Sequence, residues 1–117
     1  MEQRVRQIAN DWITAWNKHD LDLIMSHYTD DIQFTSPFIT KINNDPLGTI
    51  HNKVDLQLYF QRALNLYPNL HFELNKILVS VNSIIVYYTS VNNLLAAEFM
   101  QINEDGKVYK VFAHYTQ

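Results

Sequence analysis

The chain has no cysteine, 2 glycines and 3 prolines among its 117 residues. Without cysteine, it cannot form disulfides, thiolate nucleophiles or cysteine-ligated zinc sites. Because glycine and proline are scarce and 47% of the residues are hydrophobic, a disordered or low-complexity chain is excluded. No apolar run is long enough to span a membrane, and the first residues lack the apolar segment of a signal peptide. We therefore expect a cytoplasmic protein.

Positive charge is also scarce, with 9 Lys and Arg against 12 Asp and Glu and a net charge of −3. No basic cluster could neutralise phosphates, so neither nucleic acid nor a membrane is an expected partner. The histidines do not follow the HxH, HExxH or facial-triad spacings, so we expect no metal and no other cofactor. The length suits one hydrophobic core, which predicts a single domain over residues 1–117.

Apolar residues recur at helical spacing near the N-terminus and place Trp12 and Trp16 on one face. This pattern predicts an amphipathic helix over residues 2–18. Asp20 is suited to be the N-cap of a second, short helix.

The stretch between Phe38 and His51 has no clear period and contains several turn formers, so it is predicted to be a loop. Such a loop is either a flap over a pocket or a variable surface excursion. Asn52, with Asp55 three residues later, can cap a third helix, which ends before Pro68.

From Leu70 onward the apolar period becomes two, which predicts β-strands. A change of parity near Asn75-Lys76 predicts a bulge or a bend. The pair Asn92-Asn93 predicts a two-residue turn, and Gly106 suits the turn of a terminal hairpin. We predict an α+β fold in which three N-terminal helices pack on one face of a curved, mostly antiparallel sheet. The strands are apolar on both faces, so the outer face is expected to be buried in a homodimer.

Glu98 is the strongest single indication of a site. It shares one strand face with the apolar Ala96 and Met100. A buried carboxyl group is costly unless it is paired, neutralised or used. Glu98 is therefore a pocket acid with a raised pKa, a structural acid satisfied by a tyrosine, or a strand residue that reaches water at a sheet edge. The two-residue turn places Tyr87 opposite Glu98, whereas a slip of one residue would place Tyr88 there.

Two further groups of residues are candidates for the site. His114 could exchange a proton with Glu98, or could simply be hydrogen-bonded in the core. Aromatic side chains could form a wall for an apolar ligand, or could equally be core: Trp12, Trp16, Phe34, Phe60 and Phe112.

Several motifs occur in the order found in one known superfamily: WNKHDLDLI (16–24), HYTDDIQF (27–34) followed by SP (36–37), IHN (50–52), YF (59–60), NEDGK (103–107) and AHY (113–115). With these motifs the chain resembles the nuclear transport factor 2-like superfamily, and within it the SnoaL-like and ketosteroid isomerase-like proteins. The resemblance covers nearly the whole chain. It implies a cone with an internal pocket between the sheet and the helices, and a homodimer through the outer face of the sheet.

Steroid isomerases of this group use an Asp base, a Tyr on the first helix and a protonated acid on a late strand. The resemblance places these roles at Ser36, Trp12 and Glu98, respectively. Only Glu98 can ionise there, so steroid isomerisation by that mechanism is not expected. The resemblance also implies that five side chains point inward: Ala96, Glu98, Met100, Phe112 and His114.

We therefore expect a pocket protein for a small, largely apolar molecule, and the sequence leaves open whether it is an enzyme. An enzyme of this kind would be a cofactor-free isomerase, cyclase, dehydratase or hydrolase with Glu98 as acid or hydrogen-bond donor and His114 as its partner. The alternatives are a non-catalytic ligand-binding or dimerising module and a protein-binding adaptor. The predicted pocket consists of Trp12, Trp16, Tyr28, Phe34, Ser36, Phe60, Tyr87, Ala96, Met100 and Phe112.

Overall fold

The structure is a computed structural model that describes residues 2–116. Within these residues, four α-helices precede most of the sheet: α1 (Glu2–Asn17), α2 (Leu21–Met25), α3 (Pro37–Asn43) and α4 (Lys53–Leu66). The strands are β1 (Tyr28–Thr35), β2 (Thr49–Ile50), β3 (Glu73–Val79), β4 (Ser83–Thr89), β5 (Leu95–Ile102) and β6 (Val108–Tyr115). None of the described helices is long and apolar enough to cross a membrane.

The strands form one six-stranded sheet in the order β2-β1-β6-β5-β4-β3. Only β1 and β6 run parallel among the described pairs, and the other neighbours are antiparallel. The sheet is curved and does not close, and the helices pack on it in the cone-like arrangement that was predicted. The register of β3 against β4 shifts between Leu74 and Lys76, which confirms the predicted bulge.

The predicted helix caps are present. The Asp20 side chain accepts a hydrogen bond from the Leu23 amide at the start of α2. Asn52 Oδ1 accepts from the Asp55 amide at 2.8 Å, and its Nδ2 donates to Asp55 Oδ2 at 2.9 Å. These contacts satisfy amide groups that have no partner inside the helix, so they fix where each helix begins.

The stretch predicted as a loop from Phe38 to His51 contains α3 and β2. Ser36 caps α3 by accepting a hydrogen bond from the Phe38 amide, and Pro37 occupies the first helical turn. Proline is favourable at that position, although it also ends a strand. The seven-residue helix ends at Asn44, which has a left-handed φ of 53°. It is too short to show a helical period in the sequence.

The core lies between the helices and the inner face of the sheet. Trp12 and Trp16 of α1 are buried there with Phe60 and Phe72. Trp12 stacks on Phe72 at 5.8 Å between ring centroids, and Trp16 meets Phe60 edge-on at 4.7 Å. These aromatic contacts position α1 and α4 over the sheet.

Candidate functional site

Glu98 lies on the inner face of β5 and is only 2% exposed. Its strand alternates as predicted, because Ala96, Glu98, Met100 and Ile102 are all buried. Burial raises the pKa of Glu98 to about 7, although a hydrogen bond from Tyr88 lowers it in part. The carboxyl group can therefore be neutral or ionised near neutral pH.

Tyr88, not Tyr87, contacts this acid. The Tyr88 hydroxyl donates to Glu98 Oε2 at 2.5 Å, whereas Tyr87 lies on the opposite face of β4 and pairs with Ala97. The turn between β4 and β5 explains the difference, because the Ser90 amide donates to the Leu94 carbonyl and leaves three residues in the loop. The prediction of a two-residue loop at Asn92-Asn93 was wrong by one residue. One extra loop residue reverses the face on which every β4 side chain lies relative to β5.

His114 and Phe112 do not point inward. His114 is exposed, and Phe112 is 38% exposed on the outer face. Glu98 pairs with Ala113, so odd-numbered residues of β6 share its face. The register of β6 against β5 is irregular near Tyr109, which is an extra residue between the buried Val108 and Val111. This extra residue reverses the faces of the rest of β6, so Phe112 and His114 point outward. The predicted pairing of Glu98 with His114 is therefore excluded by the geometry.

Tyr115 lies near Glu98, and this position of Tyr115 was not predicted from the sequence. Tyr88 and Tyr115 flank Ala96 in one row across β4, β5 and β6, and the small alanine leaves room above it for the two rings. Burial raises the pKa of Tyr115, as does the charge of Glu98, and hydrogen bonds with Tyr88 and Ser36 lower it. Tyr115 therefore lies in the same row as Tyr88, the residue that donates to Glu98.

An aromatic cavity lies beside Glu98. Its space includes about 50 Å³ that the centre of a water molecule can occupy, enough for roughly three to five waters at ~10–15 Å³ each. This volume is well below the ~300–1,000 Å³ of typical small-molecule sites, so only a small group fits the cavity as it stands. The predicted residues that line it are Trp12, Trp16, Phe34, Phe60 and Glu98.

The mouth of the cavity is made by residues that the sequence did not reveal. Phe38 and Ile42 of α3 line it, as does Tyr67 at the end of α4, and all three are half-buried. The Phe38 ring packs edge-on against Tyr115 at 4.6 Å. The segment predicted as a flap or a surface excursion thus supplies part of the mouth. The only signal for it in the sequence was the length of the unpatterned stretch.

Four other predicted pocket residues are buried but do not line this cavity: Tyr28, Ser36, Ala96 and Met100. Tyr28 instead accepts a hydrogen bond from Trp12 Nε1 at 2.8 Å, which holds the indole in place. The Ser36 hydroxyl is engaged as the cap of α3. At the two positions where the resemblance implies a Tyr and a base, the chain therefore has a structural indole and a structural hydroxyl.

The second oxygen of Glu98 has no hydrogen-bond partner. Oε1 is buried and unpaired within the described residues. Buried polar atoms normally have partners, so an unpaired carboxyl oxygen beside a cavity is a candidate contact for a ligand. Among the described residues that line the cavity, Glu98 is the only carboxylic acid, and no group of three His, Asp or Glu in residues 2–116 could hold a metal.

Comparisons with known proteins agree with this geometry. Residues 9–116 match the sequence profile of the SnoaL-like domain. A SnoaL-like protein of unknown function from Burkholderia thailandensis has 37% identity to the chain and a TM-score of 0.95, covering 100% of this chain and 98% of its own. No curated protein sequence matches the chain.

More distant structures share the fold. A proposed ketosteroid isomerase from Kribbella flavida has 16% identity and a TM-score of 0.76, over 98% of this chain and 79% of its own. IdmH, a proposed polyketide cyclase from Streptomyces antibioticus, has 10% identity and a TM-score of 0.79, over 95% and 91%. At these identities the likeness concerns the fold alone. The sequence match over residues 9–116 places the chain in the SnoaL-like family, with the nuclear transport factor 2-like and ketosteroid isomerase-like fold.

Proposed function

We propose that the chain binds a small, largely apolar molecule in the aromatic cavity and contacts one oxygen of that molecule through Glu98. The observation that carries this proposal is a buried carboxyl group beside the cavity with one oxygen held by Tyr88 and the other unpaired. An apolar cavity with a few polar groups and a perturbed acid is the usual composition of a ligand site.

In the proposed site, Glu98 acts as an acid or hydrogen-bond donor. Its pKa of about 7 allows a neutral carboxyl group to donate to a carbonyl or hydroxyl oxygen at and below neutral pH. Tyr88 fixes one carboxyl oxygen, so the other is presented in a defined direction. In the neutral acid, the Glu98 proton is therefore carried by the oxygen that Tyr88 does not contact, where it can be donated to a ligand.

The site supports two alternative functions, one catalytic and one non-catalytic. A carboxyl group with a pKa of about 7 in an apolar cavity is suited to cofactor-free proton transfer, as in an isomerase, cyclase, dehydratase or hydrolase. The alternative, a non-catalytic ligand-binding module, is supported by the absence of a second carboxylic acid among the described lining residues and by the structural role of Ser36. Incorporation of solvent deuterium next to the carbonyl of a bound ketone, lost in Glu98→Gln, would distinguish the first function from the second.

The binding test uses cyclohexanone and methylcyclohexane, monitored by amide chemical shifts of the lining residues between pH 5.5 and 8.5. Cyclohexanone has only an acceptor oxygen, so its affinity should fall as pH rises through about 7 and Glu98 loses its proton. In Glu98→Gln, the amide still donates, so the affinity should persist without that pH dependence. Methylcyclohexane should show no pH dependence in either protein. If neither compound gives saturable shifts at the lining residues, the proposed function is wrong.

We also propose a homodimer through the outer face of the sheet. Leu78, Leu95 and Phe112 are exposed by 53%, 37% and 38%, respectively. Phe99 and Phe112 are near neighbours there, with ring centroids 6.4 Å apart. A face with this much exposed apolar surface is typical of a protein interface. A second copy with the same face would bury it symmetrically.

A further inference from the structure

A second hollow, which we call the outer bowl, opens beside the cavity. The end of α4 and the residues after it (66–71) form one side, and residues 90–93, the turn between β4 and β5, form the other. The volume that the centre of a water molecule can occupy is about 450 Å³ in the outer bowl and about 50 Å³ in the cavity. Both hollows are lined by Tyr67, Leu70, Ser90 and Val91, so these four residues form the partition between them.

The outer bowl is polar. No Asp, Glu, Lys or Arg is present among the described residues that line it, and His71 is its one basic side chain. Three of its residues, Asn69, Asn92 and Asn93, are exposed asparagines whose side-chain amides make no hydrogen bond within residues 2–116. Each amide can both donate and accept. A neutral group with hydroxyl or amide functions would therefore find partners there, whereas the lining offers no carboxylate to an ammonium and no Lys or Arg to a carboxylate.

Both sides of the outer bowl are held in place by the rest of the fold. His19 Nε2 lies 2.7 Å from the Leu70 carbonyl oxygen. Asn17 exchanges two hydrogen bonds with the Phe72 backbone, at 2.7 and 2.9 Å. On the other side, the Ser90 amide donates to the Leu94 carbonyl at 2.7 Å. Binding on such a surface needs little ordering of the backbone, which favours affinity.

We infer that the outer bowl is the second half of the ligand site, and that the ligand is a two-part molecule with an apolar ring for the cavity and a neutral, hydrogen-bonding amide or hydroxylated group for the outer bowl. This inference rests on the proposed function of the cavity. Tyr67 and Val91 are half-buried and line both hollows, so the linking part of the ligand would lie against these two side chains.

Asn92 and Asn93 allow a test that leaves the backbone unchanged. Both have left-handed φ angles, 56° and 59°, which glycine adopts readily. The double variant Asn92→Gly/Asn93→Gly therefore removes two amides while it preserves the turn. Asn44→Gly is the matched control, because Asn44 also has a left-handed φ, 53°, and is not among the residues that line either hollow.

The probes are 4-phenylbutanamide, 4-phenylbutanoate, 4-phenylbutylamine and butylbenzene, titrated calorimetrically and by NMR. We expect the amide to bind the unaltered protein more tightly than the other three compounds. The double variant should lose roughly fivefold in affinity for the amide, as for one lost hydrogen bond, and nothing for butylbenzene. Asn44→Gly should bind all four compounds as the unaltered protein does.

The outcomes separate this inference from the proposed function. If butylbenzene and the amide bind equally and the double variant changes neither, the cavity function stands and the outer bowl is not a subsite. Tighter binding of the carboxylate or the amine than of the amide would also overturn the inference, because it would show that charge, and not neutral hydrogen bonding, selects the ligand. If none of the four compounds shifts the amide resonances of the cavity residues, both proposals fail.

Discussion

The free energy of unfolding should fall as pH rises, because Glu98 is buried. Its pKa is raised by burial from 4.5 to about 7 in the folded protein. Below 4.5 the group is neutral in both states and contributes no pH dependence. Between 4.5 and about 7 the unfolded chain ionises first, so the folded state binds more protons and loses stability with rising pH. Above 7 the loss is complete.

The magnitude follows from the same two values. Each pH unit between the unfolded and folded pKa corresponds to ~1.4 kcal/mol, so the interval from 4.5 to about 7 amounts to about 3 kcal/mol. Glu98 is only 2% exposed, so solvent screening reduces this little. A change of about 3 kcal/mol is a large part of the ~5–15 kcal/mol that holds a typical domain folded.

The assay is urea unfolding of the unaltered protein and Glu98→Gln at pH values from 4.5 to 8.5. Gln cannot ionise, so only the unaltered protein should lose this stability as pH rises. Relative to it, Glu98→Gln should become more stable by about 3 kcal/mol between pH 4.5 and 8.5. Glu73→Gln is the control, since Glu73 is exposed on β3. If Glu98→Gln and the unaltered protein show parallel pH profiles, the acid is not held in a dry environment and the reasoning is refuted.

Four further variants test the surroundings of the acid, the cap of α3 and the outer face of the sheet. Tyr88→Phe removes the donor to Glu98 and should raise its pKa further, whereas Tyr87→Phe on the opposite face should leave it unchanged; carbon NMR of the carboxyl group measures both. Ser36→Ala removes the cap of α3 and should lower the unfolding free energy by about 1 kcal/mol in denaturant titrations, and no loss would argue against the cap. Phe112→Asp should weaken self-association in sedimentation experiments at micromolar concentration, and an unchanged mass would contradict the proposed interface.

Much of the fold could be predicted because its signals are local. The caps at Asp20 and Asn52 involve hydrogen bonds over three residues, so the residue types alone indicate them. Gly106 has a φ of 78°, as the hairpin turn requires. The alternation along β5 placed Glu98 on the buried face without knowledge of the neighbouring strands.

The partners of Glu98 could not be predicted in the same way. They depend on strand register, which one extra residue reverses. The three-residue turn at Val91 exchanged Tyr87 for Tyr88, and the irregularity near Tyr109 moved His114 outward and Tyr115 inward. The hydrophobic pattern does not indicate how many residues the turn contains or that β6 has an extra residue, because β4 and β6 are apolar on both faces.

The amino-acid sequence by itself therefore determined the α+β class, the family, the helix caps and the buried position of Glu98. Each of these depends on residues close together in the chain or on an overall pattern. The tertiary structure decided which tyrosines lie near the acid, how α3 lines the cavity and how the outer bowl adjoins it. These depend on distances between segments far apart in the chain, and packing and register, not local preference, set those distances.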